Sequence, residues 1–412
     1  MKKTLMILAA ALLLLPACSK MHDGEDDAQG AELFPAVYIQ LTDAQKGVRT
    51  ASNNFGLNTF SQMYAAEAGK DVVFSPLSLS LALSMTAEGA EGATWKQFAD
   101  VIGWGTATKE EVGSYYKTMI SGLVEADRAV LFTSANSFWA AKNLKLHESY
   151  TKLLKDYFDA EDYSVDFGAP GTVDQINKWC SDKTDGKIPK MLDSTSPETR
   201  LMLINALLFK APWTFTWEVK KNRTFHGTKG NSNKDFLHTD YRSMAYGDYN
   251  DYEYVGVSYG NGMYVMDIIL PKANRSIADI LPKLKPECFR SQPQSSEVEL
   301  YLPKFSTAYF ADDPLIPNAL IAQGLTLPFG GLADFSGISD EPLYISQILQ
   351  KTQIDVTEKG TEFAAVTVVD MKYASAMPGT PRRVSVDLNR PFVYAIREVS
   401  SDTILLLGTL SN

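Results

Sequence analysis

An α+β fold in one large domain is what the order of patterns along this chain predicts. Helical periodicity dominates the first part, strand alternation and hairpin signals fill the second, and no Pro/Gly/Ser linker interrupts Glu32 to Glu358. The third observation is a break near the C-terminus. After Gly360 the residues are small or β-branched (Thr361, Ala364, Ala365, Val366, Thr367, Val368, Val369), and then give way to Ala374, Ser375, Ala376, Pro378, Gly379 and Pro381. The first half suits a strand and the second does not. A strand-prone stretch is therefore held in a long polar loop, ahead of a further strand pair.

At the N-terminus, Lys2 and Lys3 precede an apolar run from Leu5 to Leu15, then Pro16, Ala17 and Cys18. A basic end followed by an apolar stretch too short to span a bilayer predicts a secretory signal over residues 1–17. With cysteine directly after the cleavage point, the stretch resembles a bacterial lipoprotein signal. That resemblance implies lipidation of Cys18 and attachment to the bacterial outer membrane, on its periplasmic face or at the cell surface. The alternative is a plain signal with an incidental cysteine. Stable anchoring takes two acyl chains or a second attachment. Residues 18–31, with Asp23, Glu25, Asp26 and Asp27, read as an acidic flexible tether, leaving 32–412 as the folded domain.

Removing the signal leaves 395 residues and moves the formal charge from −10 to −12. That length exceeds the usual single core, yet no internal repeat divides it, so one large domain is expected. The acidic balance argues against nucleic acid as a partner, and no basic stripe suggests a polyanionic cofactor. Cys180 shares a helical face with Ile176 and reads as a buried free thiol; a Cys180–Cys288 disulfide is the alternative in an oxidising compartment.

Leu57, Phe60, Met63 and Tyr64 fall on one face of a helix ending near Gly69. Ser75 is placed to cap the next helix, with Pro76 in its first turn and an apolar circumference from Leu77 to Met85 that predicts burial. Val130 to Trp139 is β-prone. Leu201 to Phe209 is apolar apart from Asn205, and reads as a central strand covered on both faces. Tyr259 to Met263 (YGNGM) is a hairpin signal. Val298, Leu300 and Leu302 alternate with polar neighbours, and Ile345 to Val356 predicts the strand that leads into the loop.

The loop has a second meaning beside an edge strand with a long turn. Glu358, Gly360, Thr361, Glu362, Ala364 and Ala365 resemble the hinge of the reactive-centre loop of serpins. Arg390 to Arg397 (RPFVYAIR), with Gly408 further on, resembles the block that closes that family. Phe74 to Pro76 together with Glu88, Gly89, Ala90, Gly92 and Thr94 resembles the serpin helix beneath the main sheet. The resemblance spans Glu32 to Asn412 and places the reactive-centre loop at about residues 358–390.

It implies that the chain is not an enzyme and that the chemistry belongs to a target protease. The protease attacks the loop, forms an acyl intermediate, and frees the hinge side to enter the main sheet as a new strand. It also implies a shutter of Ser75, Ser78 and Asn205 across which the sheet parts, with Gln350 where the family often carries histidine, and Trp213 over the breach where the loop enters. The resemblance carries no cofactor or metal. Consistent with that, His22, His147, His226 and His238 show no paired metal spacing, and no serine lies in a nucleophile-elbow sequence. The expected protein is a monomer whose partners are the target protease and, through Cys18, a lipid bilayer.

The mechanism is physically affordable for this sequence. From Gly360 to Ala374 a strand spans about 46 Å, against about 55 Å for a compact body of this size. Roughly a dozen new ladder bonds at about 0.5–1.5 kcal/mol each give about 6–18 kcal/mol, comparable with the roughly 5–15 kcal/mol that holds a protease domain folded. In the family's register Thr361, Phe363, Ala365 and Thr367 face the core and Glu362 faces outward. Phe363 is bulky where inhibitory members usually carry a small residue, so slow insertion could leave the loop merely cut. Counting along the loop places cleavage between Ala374 and Ser375, which suits an elastase-like pocket; Met371, Lys372 and Tyr373 are alternatives that would suit other enzymes, Tyr373 a chymotrypsin-like one. Gln350 cannot titrate near neutral pH as histidine does. Besides a suicide-type inhibitor, two readings stay open: a serpin-fold protein that binds or is cut without trapping, and, outside the family, a surface lipoprotein using its 19 Tyr and 6 Trp to bind glycans or peptides.

Overall fold

The computed structural model describes residues 34–67, 69–290, 294–311, 314–361 and 382–412. The elements follow the chain as α1 (Asp43–Ala66), β1 (Val73–Phe74), α2 (Pro76–Ala87), α3 (Gly92–Ile102), α4 (Lys109–Glu125), β2 (Leu131–Ala141), α5 (Glu148–Phe158), β3 (Ala160–Val165), α6 (Thr172–Lys183) and β4 (Leu201–Pro212). Then come β5 (Glu218–Gly227), β6 (Gly230–Asp248), β7 (Tyr252–Tyr259), β8 (Tyr264–Pro271), the short α7 (Ile277–Ile280), β9 (Gln294–Pro303), β10 (Phe305–Ala311) and α8 (Leu315–Ala322). β11 (Gln350–Thr357), β12 (Gly360–Thr361), β13 (Arg383–Asp387), β14 (Phe392–Glu398) and β15 (Thr403–Leu410) complete the chain. Helices early and strand pairs late form the α+β architecture expected.

Local chemistry sets the helix starts. Thr42 and Gln45 close a capping box on α1, the Thr42 amide donating to Gln45 Oε1 at 3.0 Å. The Ser75 hydroxyl oxygen accepts from the Ser78 amide at 3.1 Å, with Pro76 following it. All of α2 except Ala82 and Thr86 is buried, as its largely apolar circumference requires. It packs under β4 and β15.

Among the described residues two sheets form. One has nine strands in the order β1-β15-β14-β8-β7-β6-β9-β13, with β5 also paired to β6. The other has six, in the order β10-β11-β12-β4-β2-β3. A main core fills the space between sheets and helices. A second cluster around Trp139, Ile176, Trp179 and Cys180 lies where α6 covers β2 and β4. No helix among the described residues is long and apolar enough to cross a membrane.

Two expectations are corrected. β4 is not covered on both faces: Ile204, Ala206 and Leu208 are buried, whereas Leu203, Asn205, Leu207 and Phe209 are only partly covered. The strand preceding the loop begins at Gln350 rather than Ile345. Its partner β10 ends at Ala311, opposite Gln350, and among the described residues no ladder continues from there to Ile345–Leu349. Cys180 and Cys288 are both free, the first fully buried beside Ile176 and the second half-buried in a short 3₁₀ turn. The loop region also contains β13, paired parallel to β9.

Candidate functional site

The six-stranded sheet is split between β4 and β11. Among the described residues these strands are joined only at one end, where β12 is wedged between them. Gly360 pairs with Pro212 on one side and Thr357 on the other, and Thr361 with Ala211 and Val356. The chain turns back sharply after β11, and the turn is held by Thr357, whose hydroxyl donates to the Gly360 carbonyl at 3.1 Å. Gly360 adopts φ +140°, and a Cβ there would lie 2.1 Å from the Ala211 carbonyl oxygen. Only glycine permits that approach.

A ring of contacts fixes this end. The Trp213 indole donates to the Thr357 carbonyl at 2.8 Å and stacks on Tyr259 with ring centroids 4.4 Å apart. The Tyr259 hydroxyl meets the Thr361 hydroxyl at 2.6 Å, and Thr361 is only 3 % exposed. Thr361 therefore faces the core, with Tyr259 beneath it. Lys304 pairs with Glu358 at 2.6 Å and holds its carboxyl below the usual glutamate range. The Gly260 amide donates to the Pro212 carbonyl at 2.8 Å, tying the β7–β8 turn to the same corner.

Further along the split lies a cavity of about 290 Å³ lined by Ser78, by Leu201 to Asn205 on β4, and by Pro342 to Gln350 on the approach to β11. Ser75 and Gln350 grip each other at its edge: the Ser75 amide donates to Gln350 Oε1 at 2.8 Å, and Gln350 Nε2 returns a bond to the Ser75 carbonyl at 3.0 Å. The Ser75 hydroxyl donates to the Leu405 carbonyl at 2.7 Å. Asn205 does not join them in a hydrogen-bonded cluster. Its amide crosses to β2, donating to Ser134 Oγ at 3.1 Å and Asn136 Oδ1 at 2.9 Å. The Ser75 groups are already engaged by Gln350, Leu405 and Ser78, so Asn205 shares the cavity wall with Ser78 and Gln350 without bonding to them.

The sequence reading thus names Ser75, Ser78, Gln350, Trp213, Glu358, Gly360 and Thr361 at or beside the split. Cys18, Glu362, Phe363, Ala364, Ala365, Met371, Lys372, Tyr373, Ala374 and Ser375 lie outside the described residues. The reading missed two participants. Tyr259 is visible in sequence only as the edge of a hairpin, and Lys304 as one lysine after a proline. Among the described residues no group of His, Cys, Asp and Glu could hold a metal.

A family model described as serpin (serine protease inhibitor) matches residues 50–412. Iripin-5 of Ixodes ricinus is 30 % identical over 89 % of this chain and 94 % of its own length. Intracellular coagulation inhibitor 2 of Tachypleus tridentatus is 30 % identical over 89 % and 91 %. Among solved structures, the thermophilic serpin Tengpin in its native state superposes with a TM-score of 0.79 at 29 % identity, covering 91 % of this chain and 96 % of its own. With the family model spanning most of the chain and the split sheet holding the first residues of the loop, this protein belongs to the serpin family.

Proposed function

We propose that this protein is a single-use inhibitor of an endopeptidase, most suited to an enzyme of elastase-like or chymotrypsin-like specificity. The observation that carries the reading is the wedge of Gly360 and Thr361. Two hinge residues already pair with both edges of the split, and the inward side chain of Thr361 sets the alternation for those that follow. Continuing it by twos takes Phe363, Ala365 and Thr367 under the sheet and leaves Glu362 outside.

In the proposed reaction the protease nucleophile adds to the Ala374 carbonyl, the Ala374–Ser375 bond breaks, and the new amine of Ser375 leaves with a proton from the enzyme's general acid. The acyl-linked segment then zips between β4 and β11, away from the wedge. The enzyme is carried along and distorted before water reaches the ester. The relatives whose names denote inhibition support this reading. The N-terminal sequence supports delivery as a lipoprotein anchored through Cys18, with residues 18–31 as spacer, on a bacterial outer membrane. The domain acts as a monomer.

Incubation with an elastase and with chymotrypsin should give an SDS-resistant adduct and release a C-terminal fragment whose mass names the bond. Phe363 favours a second reading, in which insertion is slow and the loop is only cut. Phe363→Ala decides between them: adduct that forms poorly in the wild type and well in the variant shows a trap slowed by one side chain. Clean cleavage without adduct in both shows a substrate.

A further inference from the structure

Ionic contacts bridge the split at two places, one directly beside the wedge and one at the far end of the cavity. After α6 ends at Lys183, Asp185 and Gly186 both take left-handed backbone conformations, φ +49° and +76°. They swing the chain out over the sheet. Asp185 then accepts from Lys210 of β4 at 2.6 Å. Two residues on, Lys187 pairs with Asp355 of β11 at 3.3 Å. The same segment thus holds one edge of the split with Asp185 and the other with Lys187. Lys351 of β11 adds a bond to the Lys190 carbonyl.

The bridging segment is stiff. Thr184 Oγ1 accepts from the Ile188 amide at 3.0 Å, and Asn177 Oδ1 on α6 accepts from the amides of Met191 and Leu192 at 2.7 and 2.8 Å. At the far end of the cavity, Arg200, just before β4, donates to Glu341, just before the Pro342–Leu349 wall, at 2.6 Å from Nη2 and 3.2 Å from Nε. Admitting a strand between β4 and β11 widens their separation by about 4.8 Å. Neither the Arg200–Glu341 pair nor the Asp185–Lys187 segment, held to the two edges by pairs at 2.6 and 3.3 Å, survives that without one partner swinging across or letting go.

We propose that these pairs, Lys210 with Asp185, Lys187 with Asp355 and Arg200 with Glu341, are an ionic clasp whose release sets the rate of loop uptake. On the inhibitor reading, on which this rests, the clasp then sets the partition of the acyl-enzyme between trapping and escape. They are positioning residues: none touches the protease. All three pairs are partly solvent-exposed, so added salt weakens them. Uptake quickens as ionic strength rises, and the number of inhibitor molecules consumed per enzyme falls toward one. Loss of one pair quickens uptake by about two- to fivefold.

The test titrates elastase with the wild type, with the double variant Asp185→Asn/Asp355→Asn, and with Glu341→Gln. Sodium chloride runs from about 0.05 to about 0.5 M, over which the screening length shrinks from about 14 to about 4 Å. The wild type should become more efficient with salt. The variants should be more efficient at low salt and flatter across the range, with the rate of loop cleavage unchanged. Arg200→Glu should weaken the clasp, and Arg200→Glu/Glu341→Arg should restore the wild-type salt response, which damage to folding would not do.

A second measurement needs no protease: the rate at which a synthetic peptide copying residues 360–374 is taken into the intact protein. Wild-type uptake that rises with salt, with faster and flatter uptake in the double variant, supports the clasp. If no adduct forms while this pattern holds, the inhibitor reading fails and the clasp stands. Equal efficiency and an unaltered salt response in the double variant, in either assay, overturn the clasp.

Discussion

Thr361→Arg is the sharpest probe of where the loop goes. In the native wedge Thr361 is 3 % exposed, its hydroxyl meets Tyr259, and its ladder neighbours are Ala211 and Val356, none of them negatively charged. Stranding the buried Tyr259 hydroxyl costs about 1–3 kcal/mol. Burying a guanidinium without a partner costs about 3–5 kcal/mol more. The total of roughly 4–8 kcal/mol is set against about 6–18 kcal/mol gained from new ladder bonds. The native wedge sheds this cost by leaving the sheet, so it is met on re-entry, the first step of insertion, before later bonds compensate. If only a third of it reaches the barrier, insertion slows about tenfold or more. Adduct per cleavage event, read on denaturing gels against a time course of loop cutting, should fall by at least that factor while cutting continues at the wild-type rate. Thr361→Val keeps the shape and loses only the hydroxyl, so it should fall in between. An unchanged adduct yield for Thr361→Arg would refute the inward register of Thr361 and the alternation drawn from it.

Two further outcomes follow from single contacts. Gly360→Ala places a methyl 2.1 Å from the Ala211 carbonyl oxygen in a backbone conformation that disfavours alanine; it should unseat the wedge, lower the thermal midpoint of the intact protein, and cut adduct formation more than loop cleavage. Glu88, buried with both carboxyl oxygens unpartnered, has its pKa pushed up to about 8 by desolvation, with Lys109 partly opposing. The folded state therefore keeps a proton that the unfolded chain releases near the ordinary glutamate range. Stability is full below that range and declines as pH rises to about 8, by an amount of the order of 5 kcal/mol. Unfolding rates of the intact protein at acid, neutral and mildly alkaline pH should rise with pH in the wild type and stay flatter in Glu88→Gln; equal slopes would remove Glu88 as the cause.

What could be read from sequence was what local chemistry decides. The Ser75 cap, the buried circumference of α2, the YGNGM turn and the alternation of β9 depend on residues a few positions apart, and each formed where the pattern placed it. The start of β11 was misplaced because it depends on where β10, some forty residues earlier, runs out. Asn205 lines the same cavity as Ser78, but its hydrogen-bond partners sit on β2, set by sheet register rather than by anything near it in the chain. Tyr259 escaped notice for the same reason: its contact with Thr361 spans 102 positions. Asp185 and Lys187 look like ordinary solvated charges until the fold lays them over the split.

Cys180 offers a practical handle on the proposed loop uptake. Its thiol is buried on the inner side of α6, with the pKa pushed up to about 12 by burial, so alkylating reagents are expected to leave it untouched in the intact protein. It sits one helical turn before the segment that bridges the split. If α6 must lift for a strand to pass beneath, iodoacetamide will mark Cys180 at the moment of passage, while half-buried Cys288 serves as an internal reference on the same chain. A buried sulfur that contributes only packing at rest would then timestamp the proposed passage of the strand.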